Sequence, residues 1–310
     1  MNLHFSTMQQ IIECVANVSE GRDAGVLHAL TKTVQGIQGV RLLDRHADWD
    51  HHRSVFTFAG RAEAVMQAAF DLTQAALPLI DLNTHKGQHP RVGAVDVVPL
   101  VPLKGATMND CIDGARQLGA RIGTDLHIPV FLYESACAFP VRQKLEVIRR
   151  GGIQGLTFRM GSDPLWSPDF GPHQPHPTAG VVVVGARPPL IAFNVVLQTP
   201  NVSIAQSIAK RIRTKGGGLP AVKAIGIELS SRRLVQVSMN LTNYHETSIQ
   251  NAFDAVQQAA EKFQVGIKES EIVGLVPQDA LPGNPQARLK LRSWNPDQIL
   301  EIRLSKLGML

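Results

Sequence analysis

The stretch DLNTHKGQHPRVGAVDVVPL, Asp81 to Leu100, joins a polar loop to an apolar run. Its first half carries His85, Lys86, His89 and Arg91 within seven residues. Gly87, Pro90 and Gly93 disfavour a regular helix there. Its second half, Val92 to Leu100, predicts a buried strand. The residues therefore predict a loop that delivers ionisable side chains to the lip of a strand, a common place for chemistry in α/β proteins. A loop that merely satisfies its own hydrogen bonds is the other reading. His85 and His89 have the spacing of zinc-binding helical histidines. Gly87 and Pro90 work against that helix, however, and the glutamate of H-E-x-x-H is missing.

Upstream of this loop the chain alternates strands and helices. Ile11 to Val18 predicts a strand, Ser19 to Asp23 a turn, and Gly25 to Val34 a helix with Val26, Leu27, Leu30 and Val34 at helical spacing. Gly39 to Asp44 and Ser54 to Ala59 predict strands joined by the polar loop from Arg45 to Arg53. Ala62 to Leu77 predicts an Ala-rich amphipathic helix stopped by Pro78. With the strand from Val92, the order is β-α-β-β-α-β.

Downstream, Thr107 to Gly123 predicts a helix, Pro129 to Tyr133 a short strand, and Arg142 to Arg150 a helix stopped at Gly151-Gly152. Gly155 to Pro177 is dense in Gly and Pro and predicts an irregular connector anchored by Trp166 and Phe170. The outline then repeats. Leu190 to Leu197 is a strand, Val202 to Arg213 a helix, Thr214 to Leu219 a glycine loop. Val222 to Leu229 and Leu234 to Leu241 form a hairpin around Ser230 to Arg233. Thr247 to Phe263 is a helix and Glu271 to Val276 a strand. The fold class predicted is α/β (α+β): two tandem ferredoxin-like β-α-β-β-α-β subdomains with a cleft between the lobes. One more helix, Pro296 to Leu304 with Asn295 as cap, is expected in the tail.

The 310 residues suffice for one large or two ordinary domains, and 44% hydrophobic with 18% charged residues suits a globular core. The net charge of +5 suits anionic small molecules. It is not gathered into a basic run, and aromatic content is only 5%, so nucleic acid is not expected. Cys14, Cys111 and Cys137 suggest no disulfide framework, in keeping with a reducing compartment. No apolar run reaches membrane-spanning length and no signal peptide is evident, so a cytoplasmic location without membrane is expected.

HADWDHHR, His46 to Arg53, is the other polar cluster. Its histidines and carboxylates raise three readings: a metal site, a solvated hairpin, or a substrate-facing loop. Adjacent His51 and His52 do not easily face one ion, and Arg53 would repel it, so no metal ligand is assigned. Arg53 is a good carboxylate fork. KGGGL, Lys215 to Leu219, lacks the ending of a phosphate loop and follows a helix, so a helix stop explains it better. Asn17 and Asn194 lie within apolar strands, where an amide needs partners.

Taken together, ECVANVSEGRD, DHHRSVFTFAG, IDLNTHKGQHPRVGAVDVVPLVPL, PDFGPHQPHPTAG, GARPPLIAFNVVL, VQVSMNLTNY and SEIVGLVPQDAL resemble, in order and spacing, the glutamate formiminotransferase family. The resemblance runs from about Ile11 to Leu281; nothing resembles the cyclodeaminase half to which this domain is fused in some relatives. It implies an N-terminal subdomain over 1–178, a C-terminal subdomain over 179–283, and a tail over 284–310. It implies transfer of a formimino group from N-formimino-L-glutamate to tetrahydrofolate as co-substrate, in histidine degradation, by a homodimer that takes small-molecule substrates and needs no metal. His89 matches the family's catalytic histidine. Asp50, Arg53, His85, Lys86 and Arg91 are the expected substrate-binding residues. The folate-contacting stretch corresponds to Gly171, Pro172, His173, Gln174, Pro175, His176, Pro177, Thr178, Ala179 and Gly180. Where relatives often read D-H-N-R, this chain has His52, which changes the donor and acceptor roles at that position. The competing functional classes are a metal-dependent hydrolase using the two polar loops and a non-catalytic folate-binding protein.

Overall fold

Strand β1, Ile11–Val18, alternates its side chains between two environments. Ile12, Cys14, Ala16 and Val18 enter the main core, while Glu13 and Asn17 point to the opposite face. After β1 come α1 (Ala24–Gln35), β2 (Val40–Asp48), β3 (Arg53–Arg61), α2 (Ala62–Ala76) and β4 (Val95–Pro102). The four strands lie in the order β2-β3-β1-β4, every neighbouring pair antiparallel. That is the ferredoxin-like arrangement expected from the hydrophobic pattern. Leu27, Leu30 and Val34 of α1 and Val65, Ala68, Ala69 and Leu72 of α2 bury the helical stripes against Phe56 and Phe58. Truncating either phenylalanine to alanine would cost about 3–5 kcal/mol.

The computed structural model describes residues 10–88 and 90–309, and divides between Arg187 and Pro188 into two compact units. His89 therefore lies outside the described residues. The first unit continues with α3 (Met108–Asp125), β5 (Val130–Glu134), α4 (Leu145–Ile148), α5 (Gly152–Ser162) and β6 (Val182–Ala186). Strand β6 inserts parallel between β4 and β5, extending the sheet to six strands. Helix α3 starts in a capping box between Thr107 and Asp110.

The second unit has β7 (Ile191–Leu197), α6 (Val202–Ile212), β8 (Val222–Leu229), β9 (Leu234–Leu241), α7 (Ile249–Glu261) and β10 (Ile267–Val273). Its sheet order, β10-β7-β9-β8, is the same ferredoxin-like order, again antiparallel throughout. Phe193, Val195, Ile208, Val237 and Phe253 centre its core. Two short helices follow, α8 (Pro285–Arg288) and α9 (Leu300–Lys306). The tail is stitched to β10: Ser270 N–H donates to the Lys290 carbonyl, and Arg292 N–H to the Ser270 carbonyl.

Several local expectations are corrected. The start of the expected connector, residues 155–162, is helical, part of α5, because Leu156 and Met160 are buried one turn apart. Gly151 and Gly152, read as a helix stop, instead form a left-handed corner between α4 and α5. The helix expected over 142–150 is reduced to one turn around Leu145–Ile148. Strand β6 was not expected; its run of valines follows a Gly/Pro-rich segment and has no alternation to announce it. Strand β10 begins at Ile267, not Glu271, and the tail helix divides into a short 3-10 turn, Pro296–Gln298, and α9. Strand β4 begins at Val95 instead of Val92, because the N–H groups of Val92 and Gly93 turn back onto the Asp96 carboxylate.

Candidate active site

Three segments of the first unit meet at the end of its sheet where β1 and β3 approach the start of β4. The first is the turn after β1. Ser19 donates its hydroxyl to the Gly93 carbonyl at 2.7 Å. Glu20 folds back so that one carboxylate oxygen accepts from the N–H groups of Gly21, Arg22 and Asp23 at 2.8, 2.6 and 2.9 Å. Burial by itself would raise this carboxyl's pKa. The backbone donors and the neighbouring His52 outweigh it and hold the pKa below the usual value.

The second segment is the turn between β2 and β3. Its last residue, His52, has φ +49°, in the left-handed region that histidine enters more readily than most residues. Its Nε2 lies 3.0 Å from the Glu20 carboxylate and its Nδ1 3.0 Å from the Lys86 carbonyl oxygen. Asp48 accepts from the His51 N–H at 2.7 Å. Arg53 donates through Nη1 to the Asn17 amide oxygen at 3.0 Å. Burial and the nearby Arg149 charge depress the Arg53 guanidinium, with Asp48 and Asp96 acting in the opposite sense.

The third segment is the loop 77–94. Gly87 passes so close to the β2–β3 turn that a Cβ there would sit 2.4 Å from the His51 carbonyl oxygen. Gln88 N–H donates to the Asp50 carbonyl at 3.2 Å. The His85 ring stacks on that of His52, centroids 3.9 Å apart and planes 13° from parallel. His85 Nε2 faces the His52 carbonyl at 2.9 Å, and its Nδ1 faces Nη1 of Arg91. A carbonyl only accepts and a guanidinium only donates, so His85 is the neutral tautomer with its proton on Nε2. Burial, then Arg91 and His52, push its pKa down to about 4, in agreement. Arg91 also donates through Nη2 to the Gly87 carbonyl at 2.7 Å. Lys86 is exposed. Asp96 is buried and is paired with Arg149 from the α4–α5 corner. Ser19, His51, His52, Arg53, Arg91 and Asp96 line one small recess.

The Gly/Pro-rich stretch 171–180 joins this cluster. Upstream it is held by Asp169, whose carboxylate accepts from buried Arg142 at 2.9 Å and from Leu132 N–H at 2.7 Å. Downstream, Leu82 N–H donates to the Thr178 carbonyl and Ala94 N–H to the Ala179 carbonyl, both at 2.9 Å. Asn83 reaches the Pro177 carbonyl at 3.0 Å. His176 Nδ1 accepts from Ala179 N–H at 3.1 Å, closing the turn on itself. Gly171, Pro172, His173 and Gln174 are exposed, whereas Ala179 and Gly180 are buried. Gly180 has φ +70° and lies against the Val92 carbonyl, where a Cβ would sit at 2.3 Å.

Asp50, Arg53, His85, Lys86, Arg91 and the 171–180 stretch, separated widely in sequence, thus share one end of the first unit. His89 lies between Gln88 and Pro90 of the third segment but outside the described residues. Sequence reading did not single out Glu20, Ser19, Asp96 or Arg149. Glu20 looked like an ordinary turn residue, and nothing local to Arg149 signals a partner on β4. Among the described residues, no group of three or more His, Cys, Asp or Glu side chains is gathered to hold a metal ion. Among them, too, no helix is long and apolar enough to cross a membrane.

Comparison with known proteins gives a consistent result. The family model for the formiminotransferase domain, N-terminal subdomain, matches residues 11–187, and that for the formiminotransferase domain matches residues 192–308. The chain is 42% identical over 298 residues to a glutamate formimidoyltransferase of Streptococcus pyogenes serotype M1, covering 96% of this chain and 99% of that one. It is 41% identical over 297 residues to a glutamate formimidoyltransferase of Thermoplasma acidophilum, covering 96% and 98%. A formimidoyltransferase-cyclodeaminase of Mus musculus is 38% identical over 280 residues, which span 88% of this chain and 51% of that larger protein.

Proposed function

This chain belongs to the formiminotransferase domain family, and from that premise we propose that it transfers the formimino group of N-formimino-L-glutamate to N5 of tetrahydrofolate. The products are 5-formiminotetrahydrofolate and L-glutamate, in the degradation of histidine. The observation that carries this reading is the convergence of the loop 77–94, the β2–β3 turn and the stretch 171–180 on one end of the first unit, through hydrogen bonds between backbones and from the His52 and His85 rings to backbone carbonyls. Substrate-binding and folate-binding candidates are thereby neighbours.

The chemistry is an exchange of nitrogen on an amidine carbon. N5 of the folate attacks that carbon, a tetrahedral intermediate forms, and the C–N bond to glutamate breaks. N5 loses a proton and the glutamate nitrogen gains one. A single group that titrates near neutrality does both in turn, and His89 is that group in our reading. Its place before Pro90 restricts its backbone. No step calls for a metal or a covalent nucleophile from the protein. A protonated amidine is the better electrophile, and Asp50, with Asp48 as the alternative, supplies the carboxylate that favours it. Arg53, Lys86 and Arg91 bring positive charge for the carboxylates of both substrates, and His85 helps seat the donor. Arg91 is already tied to His85 and Gly87, so its charge is held in place before a substrate arrives. The stretch from Gly171 to Gly180 contacts the folate. A cytoplasmic homodimer completes the proposal.

A coupled assay of the purified protein with formiminoglutamate and tetrahydrofolate tests it, with formylglutamate as the competing donor and EDTA as a control. Turnover preferring formiminoglutamate and indifferent to chelator is expected. Tetrahydrofolate binding without turnover, or loss of activity with chelator, would replace this reading by the folate-binding or the metal-hydrolase alternative.

A further inference from the structure

The side chain at the tip of the β2–β3 turn does more than close a hairpin. Both nitrogens of His52 face oxygens that accept: the carboxylate of Glu20 at 3.0 Å and the carbonyl of Lys86 at 3.0 Å. Neither partner has a proton to give while Glu20 is ionised. Both hydrogen bonds therefore exist together only when the ring carries two protons. Glu20 is itself held by three successive backbone N–H groups, so one end of this bridge is fixed to the body of the unit. The other end grips the loop 77–94 three residues before His89. Just beyond, Arg91 ties Gly87 and His85 to each other, and His85 returns a hydrogen bond to the His52 carbonyl while stacking on its ring.

We propose that His52 is a positioning residue: its ring, bridging Glu20 and the Lys86 carbonyl, latches the loop 77–94, in which His89 follows Lys86 by three residues. The proposal rests on the reading of His89 as the acid/base group.

Two readouts are followed in the intact protein, in His52→Ala and in His52→Asn. One is kcat and KM with formiminoglutamate. The other is the rate of tryptic cleavage after Lys86, identified by fragment mass. Alanine removes both hydrogen bonds that tie the loop to Glu20, so cleavage should rise and kcat/KM should fall, each by about tenfold. Asparagine, whose amide still donates a hydrogen bond, should recover part of both. Cleavage after Lys86 at the wild-type rate in His52→Ala overturns the latch. Faster cleavage with unchanged kcat and KM overturns the positioning role, since the latch would then hold a loop that chemistry does not need. Should His52→Ala fold poorly, Glu20→Ala removes the other end of the bridge and is read by the same outcomes. His89→Ala, assayed alongside, reports separately on the acid/base reading.

Discussion

The two units are built to one plan and differ at the same two joints. In each, two antiparallel strands turn at a short hairpin, β2–β3 in the first and β8–β9 in the second. In each, the residue before the returning strand is left-handed: His52 at φ +49° and Arg233 at φ +52°. In the second unit that residue is exposed. In the first, it is turned inward onto Glu20 and the Lys86 carbonyl. The second joint is the connection from the second helix to the last strand of the motif. Residues 262–266 suffice between α7 and β10, whereas residues 77–94 intervene between α2 and β4. The fold tolerates both lengths, since lengthening a surface loop costs little entropy. The difference teaches that the motif supplies a frame, and that one longer loop and one inward-turned hairpin tip give the first unit a polar cluster that the same joints of the second do not build.

The largest effect should come from the lengthened loop. His89→Ala is expected to lower kcat by roughly 10²–10⁴-fold with unchanged Tm, as for loss of a general base. Lys262→Ala, in the short counterpart, should leave steady-state rates as they are. Equal losses from both would erase the asymmetry.

Next come the ion pairs. Arg149→Ala leaves the buried Asp96 carboxylate without its partner and should destabilise by about 3–5 kcal/mol. Arg232→Ala breaks the more accessible pair with Glu269 in the second unit, and should cost under about 1 kcal/mol. Urea midpoints distinguish these, and similar costs would show that the two pairs are equally committed to stability.

The first unit also carries two opposed pH responses. Burial holds Glu13 up to about 7, offset only in part by Arg187, so the folded chain keeps a proton that the unfolded chain loses. Stability is withdrawn as pH rises from about 4.5 to about 7. His85, pushed down to about 4, stays neutral where the unfolded chain takes up a proton, so stability is withdrawn as pH falls from about 6.5 to about 4. Thermal melts should show Glu13→Gln gaining on the wild type as pH rises, and His85→Gln gaining as pH falls. Parallel trends for the two variants would contradict the assignment.

The smallest effect is at the hairpin tips. Arg233→Gly relieves a left-handed residue and should stabilise by a few tenths to about 1 kcal/mol. His52→Gly relieves the same backbone but removes two hydrogen bonds, one of them to a carboxylate, and should destabilise by about 1–2 kcal/mol. Chemical denaturation that gave both the same sign would mean that the imidazole contributes nothing the glycine lacks.

Much of this protein was readable before any coordinates. The alternation of Ile11 to Val18 and the spacing of Leu27, Leu30 and Val34 each declare an element, because burial on one face imposes a period of two on a strand and 3.6 on a helix. Two such series in the same order disclose the tandem plan. The concentration of His85, Lys86, His89 and Arg91 among helix-breaking residues marks a candidate functional loop by the same kind of local evidence. Strand β6, the left-handed corner at Gly151-Gly152, the pairing of Arg149 with Asp96 and the bridge from Glu20 through His52 to Lys86 leave no comparable trace. Each depends on which distant segments pack together, and a contact made across the fold imposes no period on the residues beside it. Periodicity and composition determined the elements and where to look for chemistry; only tertiary packing decided which turn, corner and carboxylate hold that loop.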